Sequence, residues 1–127
     1  MHEPEEIARA FLIESDVDYR VAQLLRETAF HSRTIAFAQQ AVEKLVKACL
    51  AVRGVVTLEH NLSSLFRALY QADFPDLDGL VRHIDELERH GARPRFPLFQ
   101  RRDLPLWIPS RDYREEDAAR AMQSAEF

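Results

Sequence analysis

Ala38-Gln39-Gln40-Ala41-Val42-Glu43-Lys44-Leu45-Val46-Lys47-Ala48 is the most distinctive stretch of the chain, and its spacing decides the fold class. Around it Ile35, Ala38, Val42, Leu45, Cys49 and Val52 recur at alternating intervals of three and four, the apolar seam of an antiparallel helical bundle. The pattern predicts a helix from about Ser32 to Arg53, closed by the Arg53 cation and then by Gly54. Gln40, Glu43, Lys44 and Lys47 are likewise three or four apart and share another face. On periodicity alone that face is solvated, with Glu43 and Lys47 as an i,i+4 ion pair contributing a few tenths of a kcal/mol.

The same reading extends in both directions. Upstream, Ala8, Leu12, Ser15, Tyr19, Ala22 and Leu25, widened by Phe11 and Leu24, define one face of a helix from about Pro4 to Thr28. Pro4 suits its first turn, and Glu5 and Glu6 complement the positive end of its dipole. The few residues around Phe30-His31 fold these two helices back as a hairpin. Downstream, Leu62, Leu65, Phe66, Leu69 and Tyr70 mark a shorter helix starting near His60 or Asn61. After Phe74-Pro75, Asp76 is placed to cap a fourth helix whose stripe is Leu77, Leu80, Val81, Ile84 and Leu87, ending at Arg89-His90-Gly91. Pro94, Pro97, Pro105 and Pro109 exclude regular helix from Ala92 to Tyr113. A last helix, about Arg114 to Ala125, carries Ala118, Ala121, Met122 and Ala125 on one side. The expected fold is all-α: an up-and-down antiparallel bundle of four to five helices, with a proline-rich loop before the last.

Composition agrees with one domain spanning residues 1–127. The chain is 46% hydrophobic and 30% charged, enough apolar material for a core and too much for disorder. No apolar run reaches the roughly 18–20 residues of a membrane span. The acidic start, Met1-His2-Glu3-Pro4-Glu5-Glu6, does not resemble a targeting segment. The single Cys excludes an intramolecular disulfide framework and an all-Cys zinc site. A cytoplasmic location is expected. The net charge of −4 is unevenly spread. From Arg89 to Arg114 seven Arg face two acids, a local balance of +5, while the other ten bases and nineteen acids carry −9.

The chain resembles the HEPN domain, a compact helical domain. Four pieces carry the resemblance, in order. Ala10-Phe11-Leu12, Asp16-Val17-Asp18-Tyr19 and Ala22-Gln23-Leu24-Leu25 lie in the first helix. Phe37-Ala38-Gln39-Gln40-Ala41-Val42-Glu43-Lys44 opens the second string, Gly54 precedes His60-Asn61-Leu62, and Arg95-Phe96-Pro97 stands in the loop, with Tyr113 beyond it. The resemblance implies a bundle that commonly forms homodimers and often pairs with a separate minimal nucleotidyltransferase, frequently as a toxin–antitoxin system. It also resembles the substrate-side helical domain of certain antibiotic nucleotidyltransferases. Some members are ribonucleases; others bind nucleotides without cutting.

Ribonuclease members carry an Arg followed four to six residues later by a His near the last core helix. Here the corresponding stretch reads Arg95-Phe96-Pro97-Leu98-Phe99-Gln100-Arg101-Arg102, with the Arg and no His. The leading expectation is therefore a non-catalytic subunit that binds a nucleotide, or the nucleotide end of a partner's substrate. Arg93, Arg95, Arg101 and Arg102, with Lys44 and Lys47, are the candidate phosphate-binding residues, because guanidinium groups match phosphate oxygens. Gln40, Glu43 and Lys44 form the polar motif of the second helix. Phe96, Phe99 and Trp107 are candidates to stack on a base, or to pack on the bundle instead. Arg53 and His60 have the ribonuclease spacing in another part of the chain and are the secondary catalytic candidates, for cleavage of RNA. A helical interaction module without a ligand is the third reading. His83 and His90 are too far apart along their helix for a chelating pair, no metal or cofactor is expected, and Cys49 reads as a small buried hydrophobe.

Overall fold

A computed structural model describes residues 2–97 and 106–126. Six helices and no β-strand occur among them: α1 (Pro4–Arg26), α2 (His31–Val52), α3 (Ser63–Leu69), α4 (Leu77–Glu88), α5 (Pro109–Asp112) and α6 (Glu115–Glu126). The bundle is all-α, as its periodicity requires. It holds one helix more than the upper count read from the sequence, because α5 is a single turn. Pro109 begins it from the N-terminal end, where a missing N–H costs nothing, so proline starts a turn inside the stretch expected to lack helix.

Alanines set the register of α1 against α2. Ala8 packs with Ala48 and Ala51, the Ser15 hydroxyl donates to the Ala41 carbonyl at 2.6 Å, and Ala22 meets Ile35 and Ala38, so the two helices run antiparallel. The buried or half-buried row of α1 is Ala8, Phe11, Ser15, Asp18, Ala22 and Leu25. It is rotated slightly from the expected row. Leu12 (47% exposed) leaves the stripe, Leu24 (73%) faces outward entirely, and Asp18 joins the interior beside Tyr19, which is half-buried against the core as expected. A charged side chain is tolerated there because the Lys44 ammonium donates to its carboxylate at 2.5 Å.

The α2 helix is the axis of the bundle, touching α1, α3, α4, α5 and α6. It is accordingly buried on more than one face, with Ile35, Ala36, Ala38, Ala41, Val46, Ala48, Leu50 and Ala51 all inside. A single seam understates such a helix. Two members of the expected seam, Leu45 and Val52, lie largely at the surface. One core cluster joins α1, α2, α4 and α6 through Ala22, Ile35, Leu87, Ala118 and Met122. A second joins α2, α3 and α4 through Val46, Leu50, Leu62, Phe66, Val81 and Ile84, and Val42 packs against both.

The helix ends follow local chemistry. The Asp76 carboxylate accepts the Gly79 N–H at 3.2 Å and so caps α4. Gly54 and Gly91 follow α2 and α4 with φ of +82° and +54°, conformations that glycine adopts without a Cβ penalty. Arg114 N–H donates to Asp117 at 2.9 Å at the start of α6.

Candidate functional site

A groove of about 450 Å³ lies between the polar face of α2 and the segment after α4. Gln39, Gln40, Glu43 and Lys44 come from α2, His60 and Asn61 from the approach to α3, Glu88 from the end of α4, and Arg95 from the loop. Residues separated by more than fifty positions thus share one concavity.

Three anchors hold the loop against the bundle. Gln39 Nε2 donates to the Gly91 carbonyl at 3.0 Å, and Arg33 donates to the carbonyl of buried Pro94, also at 3.0 Å. The Trp107 indole N–H donates to the Arg93 carbonyl at 2.7 Å. These bonds place Arg95 at the groove. Its guanidinium lies 5.5 Å from the centroid of the half-exposed Phe96 ring, and among the described residues no carboxylate pairs with it. A guanidinium at this position can present paired donors to an anion.

Across the groove, Glu43 organises its neighbours. His60 Nδ1 lies 3.1 Å from one carboxylate oxygen and Lys47 Nζ lies 3.6 Å from the other. A carboxylate only accepts, so Nδ1 carries the proton, and Nε2 is the ring nitrogen left for a ligand. Glu88 is the residue that sequence reasoning missed. Its carboxylate accepts the Leu62 N–H at 2.6 Å, serving the open N-terminus of α3 from another helix. Burial raises its proton affinity above the ordinary carboxylate range, partly offset by the backbone hydrogen bond from Leu62. One signal was visible beforehand: an acid in the last turn of α4 opposes the helix dipole, so it belongs to something else.

The expected site residues divide by their surroundings. Gln40, Glu43, Lys44, His60 and Arg95 are brought together. Lys44 is already committed to Asp18, so its charge is largely neutralised at the groove wall. Lys47 does not reach the groove. It is 8% exposed and turned toward α1, with its ammonium 6.0 Å from the Phe11 ring centroid, because that alkyl stem covers the α1–α2 interface.

Arg53 and His60 do not form a pair. Arg53 lies 4.2 Å over the Tyr70 ring, donates to the Leu69 carbonyl at 3.0 Å and meets Asp73 at 2.9 Å, so it fastens the end of α3. Arg93 stacks on Trp107 at 5.3 Å, and Trp107 meets Tyr113 edge-on at 5.0 Å against the core. Trp107 is thereby engaged in packing and does not line the groove. Phe99, Arg101 and Arg102 lie outside the described residues.

The remaining titratable groups serve the interior. His90 Nδ1 and the Tyr113 hydroxyl are 2.7 Å apart. Burial lowers the proton affinity of the imidazole and pushes the phenol up to about 12. His83 Nδ1 lies 3.2 Å from the Ser124 hydroxyl, and no cluster of three metal-ligating side chains occurs among the described residues. Cys49 is half-buried, and burial raises its thiol above the ordinary range.

A helical bundle built on the α2 string, with an Arg-Phe-Pro loop closing over it, defines the class. The HEPN domain model matches residues 8–127, and the chain belongs to that family. A protein of Methanocaldococcus jannaschii that carries the name "putative toxin" is 33% identical over 125 residues, covering 94% of this chain and 81% of the relative. No solved structure matches the chain.

Proposed function

We propose that this protein is a non-catalytic HEPN subunit that binds a nucleotide, or the nucleotide end of a partner's substrate, in the α2–loop groove. It acts beside a separate minimal nucleotidyltransferase as one half of a toxin–antitoxin pair, in the cytoplasm, and as a homodimer. The observation that carries the reading is the meeting of Arg95, free of any described carboxylate, with the Gln40–Glu43–Lys44 face and His60. One guanidinium supplies bidentate donors to a phosphate, and the amides of Gln40 and Asn61 supply the mixed donors and acceptors that a base or ribose needs. Kinship to a relative named as a toxin supports the toxin–antitoxin setting. The missing His after Arg95 supports the non-catalytic part.

Equilibrium titration with a panel of nucleoside mono- and triphosphates tests it. Saturable binding that falls at least tenfold in Arg95→Ala is the expected result, and no binding at millimolar ligand overturns it. One observation favours a second reading, a metal-independent ribonuclease: His60, oriented by Glu43, lines the same groove as Arg95. Incubation with single-stranded RNA decides between them, with Arg95→Ala, His60→Ala and Arg53→Ala as controls. Cleavage lost in His60→Ala and Arg95→Ala but retained in Arg53→Ala would establish the ribonuclease.

A further inference from the structure

Behind the polar groove, on the other side of Val42 and Ile84, lies a second cavity of about 200 Å³. It is set among α2, α3, α4, the turn before α4 and the end of α6. Its chemistry is opposite to that of the groove. Val46, Phe66, Phe74, Leu80 and Ile84 form walls of aliphatic and aromatic carbon. Phe66 and Phe74 belong to a triangle with Tyr70, their centroids 6.0 Å apart and each within 5.7 Å of the Tyr70 ring, so the aromatic wall is held in place. The polar atoms at its edge come from the His83–Ser124 pair and from the Cys49 thiol.

The cavity exists because of what α6 presents. Where α2, α3 and α4 supply large side chains, α6 supplies Ser124 and Ala125, which are too short to fill the space between them. At its margin Phe74 and Leu45 remain 38% and 43% exposed, so apolar surface that a filled core would cover is open to water.

We infer that this cavity is a binding site for a small, uncharged, planar apolar molecule, of benzene to indole size, carrying at most one hydrogen-bonding substituent. The size follows from the volume: an apolar cavity of about 150 Å³ accommodates benzene. Neutrality follows from the lining, which is carbon apart from Cys49, His83 and Ser124 and holds no Lys, Arg, Asp or Glu to compensate a desolvated ion. The single substituent meets the His83–Ser124 edge, and the ring lies against Phe66 and Phe74. The site is independent of the nucleotide reading, since Arg95 and His60 take no part in it.

Cys49 lies in the cavity wall and reports on it directly. The probe is indole, with benzoate as the charged molecule of similar size, and the readout is the rate of Cys49 alkylation alongside the melting temperature. Indole should raise the melting temperature and slow alkylation about sixfold at five times its dissociation constant. Benzoate should do neither. Ala125→Leu and, separately, Val46→Phe fill the space, and a folded variant of either kind should lose the indole response. Equal protection by benzoate, no protection by indole up to its solubility limit, or protection retained in both filled variants would each overturn the assignment. So would alkylation that slows as protein concentration rises and ignores indole, the signature of a second copy covering this face.

Discussion

Removing either partner of the Asp18–Lys44 pair should destabilise the fold, and by unequal amounts. Asp18 is 6% exposed in the interior row of α1, and its carboxylate accepts from Lys44 at 2.5 Å. The lysine side chain keeps 28% of its surface. An ion pair open to water contributes about 0–1 kcal/mol, whereas breaking a fully buried one costs about 3–5 kcal/mol. Asp18→Ala strands a cation that can still rehydrate, and should cost about 1.5–2 kcal/mol. Lys44→Ala strands the better buried carboxylate, and should cost about 2.5–3 kcal/mol. For a domain of this size 1 kcal/mol corresponds to about 3–6 °C of Tm, so the two variants should melt about 5–12 °C and 8–18 °C below the parent. The double substitution Asp18→Leu with Lys44→Met places apolar groups at both positions and should recover most of the loss. Urea unfolding of the parent, Asp18→Ala, Lys44→Ala and the matching Asp18→Ala/Lys44→Ala double variant measures the coupling, expected at about 1–2 kcal/mol. Equal costs for the two single variants, or a coupling below about 0.5 kcal/mol, would show that burial of the carboxylate is not what makes the pair matter.

Three further outcomes follow from the same geometry. Gly54 has φ of +82° with no atom within 4 Å of a built Cβ, so Gly54→Ala should cost about 1–2 kcal/mol by thermal unfolding, all of it conformational. His90 is held neutral by burial, and its folded proton affinity lies below that of the unfolded chain. Its contribution is thus fully present above about pH 6.5 and is lost as the pH falls below it, where the unfolded imidazole binds the proton first. The stability difference between the parent and His90→Gln should shrink from pH 7 to pH 5; a difference that grows on acidification contradicts the assignment. Leu50 is 0% exposed among Val46, Leu62 and Phe66, and Leu50→Ala should cost about 3–5 kcal/mol in urea unfolding with no change in the m-value.

Helix periodicity reports which side of a segment is apolar, and for the bundle that was nearly enough. The α1–α2 hairpin, the Asp76 cap and the glycine ends of α2 and α4 were all legible, because each is set by neighbours within four or five positions. Where a residue's surroundings come from another helix, the reading slipped. Leu24 reads as core and lies at the surface, while Asp18, which is no part of the expected apolar stripe, lies inside, where Lys44 on α2 makes its burial favourable. Lys47 and Lys44 are three apart on one face, yet one covers Phe11 and the other holds Asp18.

The amino-acid sequence by itself determined an all-α bundle and the segregation of positive charge into the segment around Arg95, both being properties of spacing and composition, while the HEPN family was legible as a resemblance of its motifs. The tertiary structure alone decided which polar residues share a groove. Spacing along the chain set Arg53 and His60 together; packing takes Arg53 to Tyr70 and Asp73, and faces His60 with Glu43 and Arg95 instead. It also decided the role of Glu88, whose partner is the backbone of a helix 26 positions earlier. The physical reason is one of range. Caps and stripes are fixed by contacts within a turn or two of helix, whereas a site is assembled by contacts between helices, and those depend on volumes and charges that no local interval encodes.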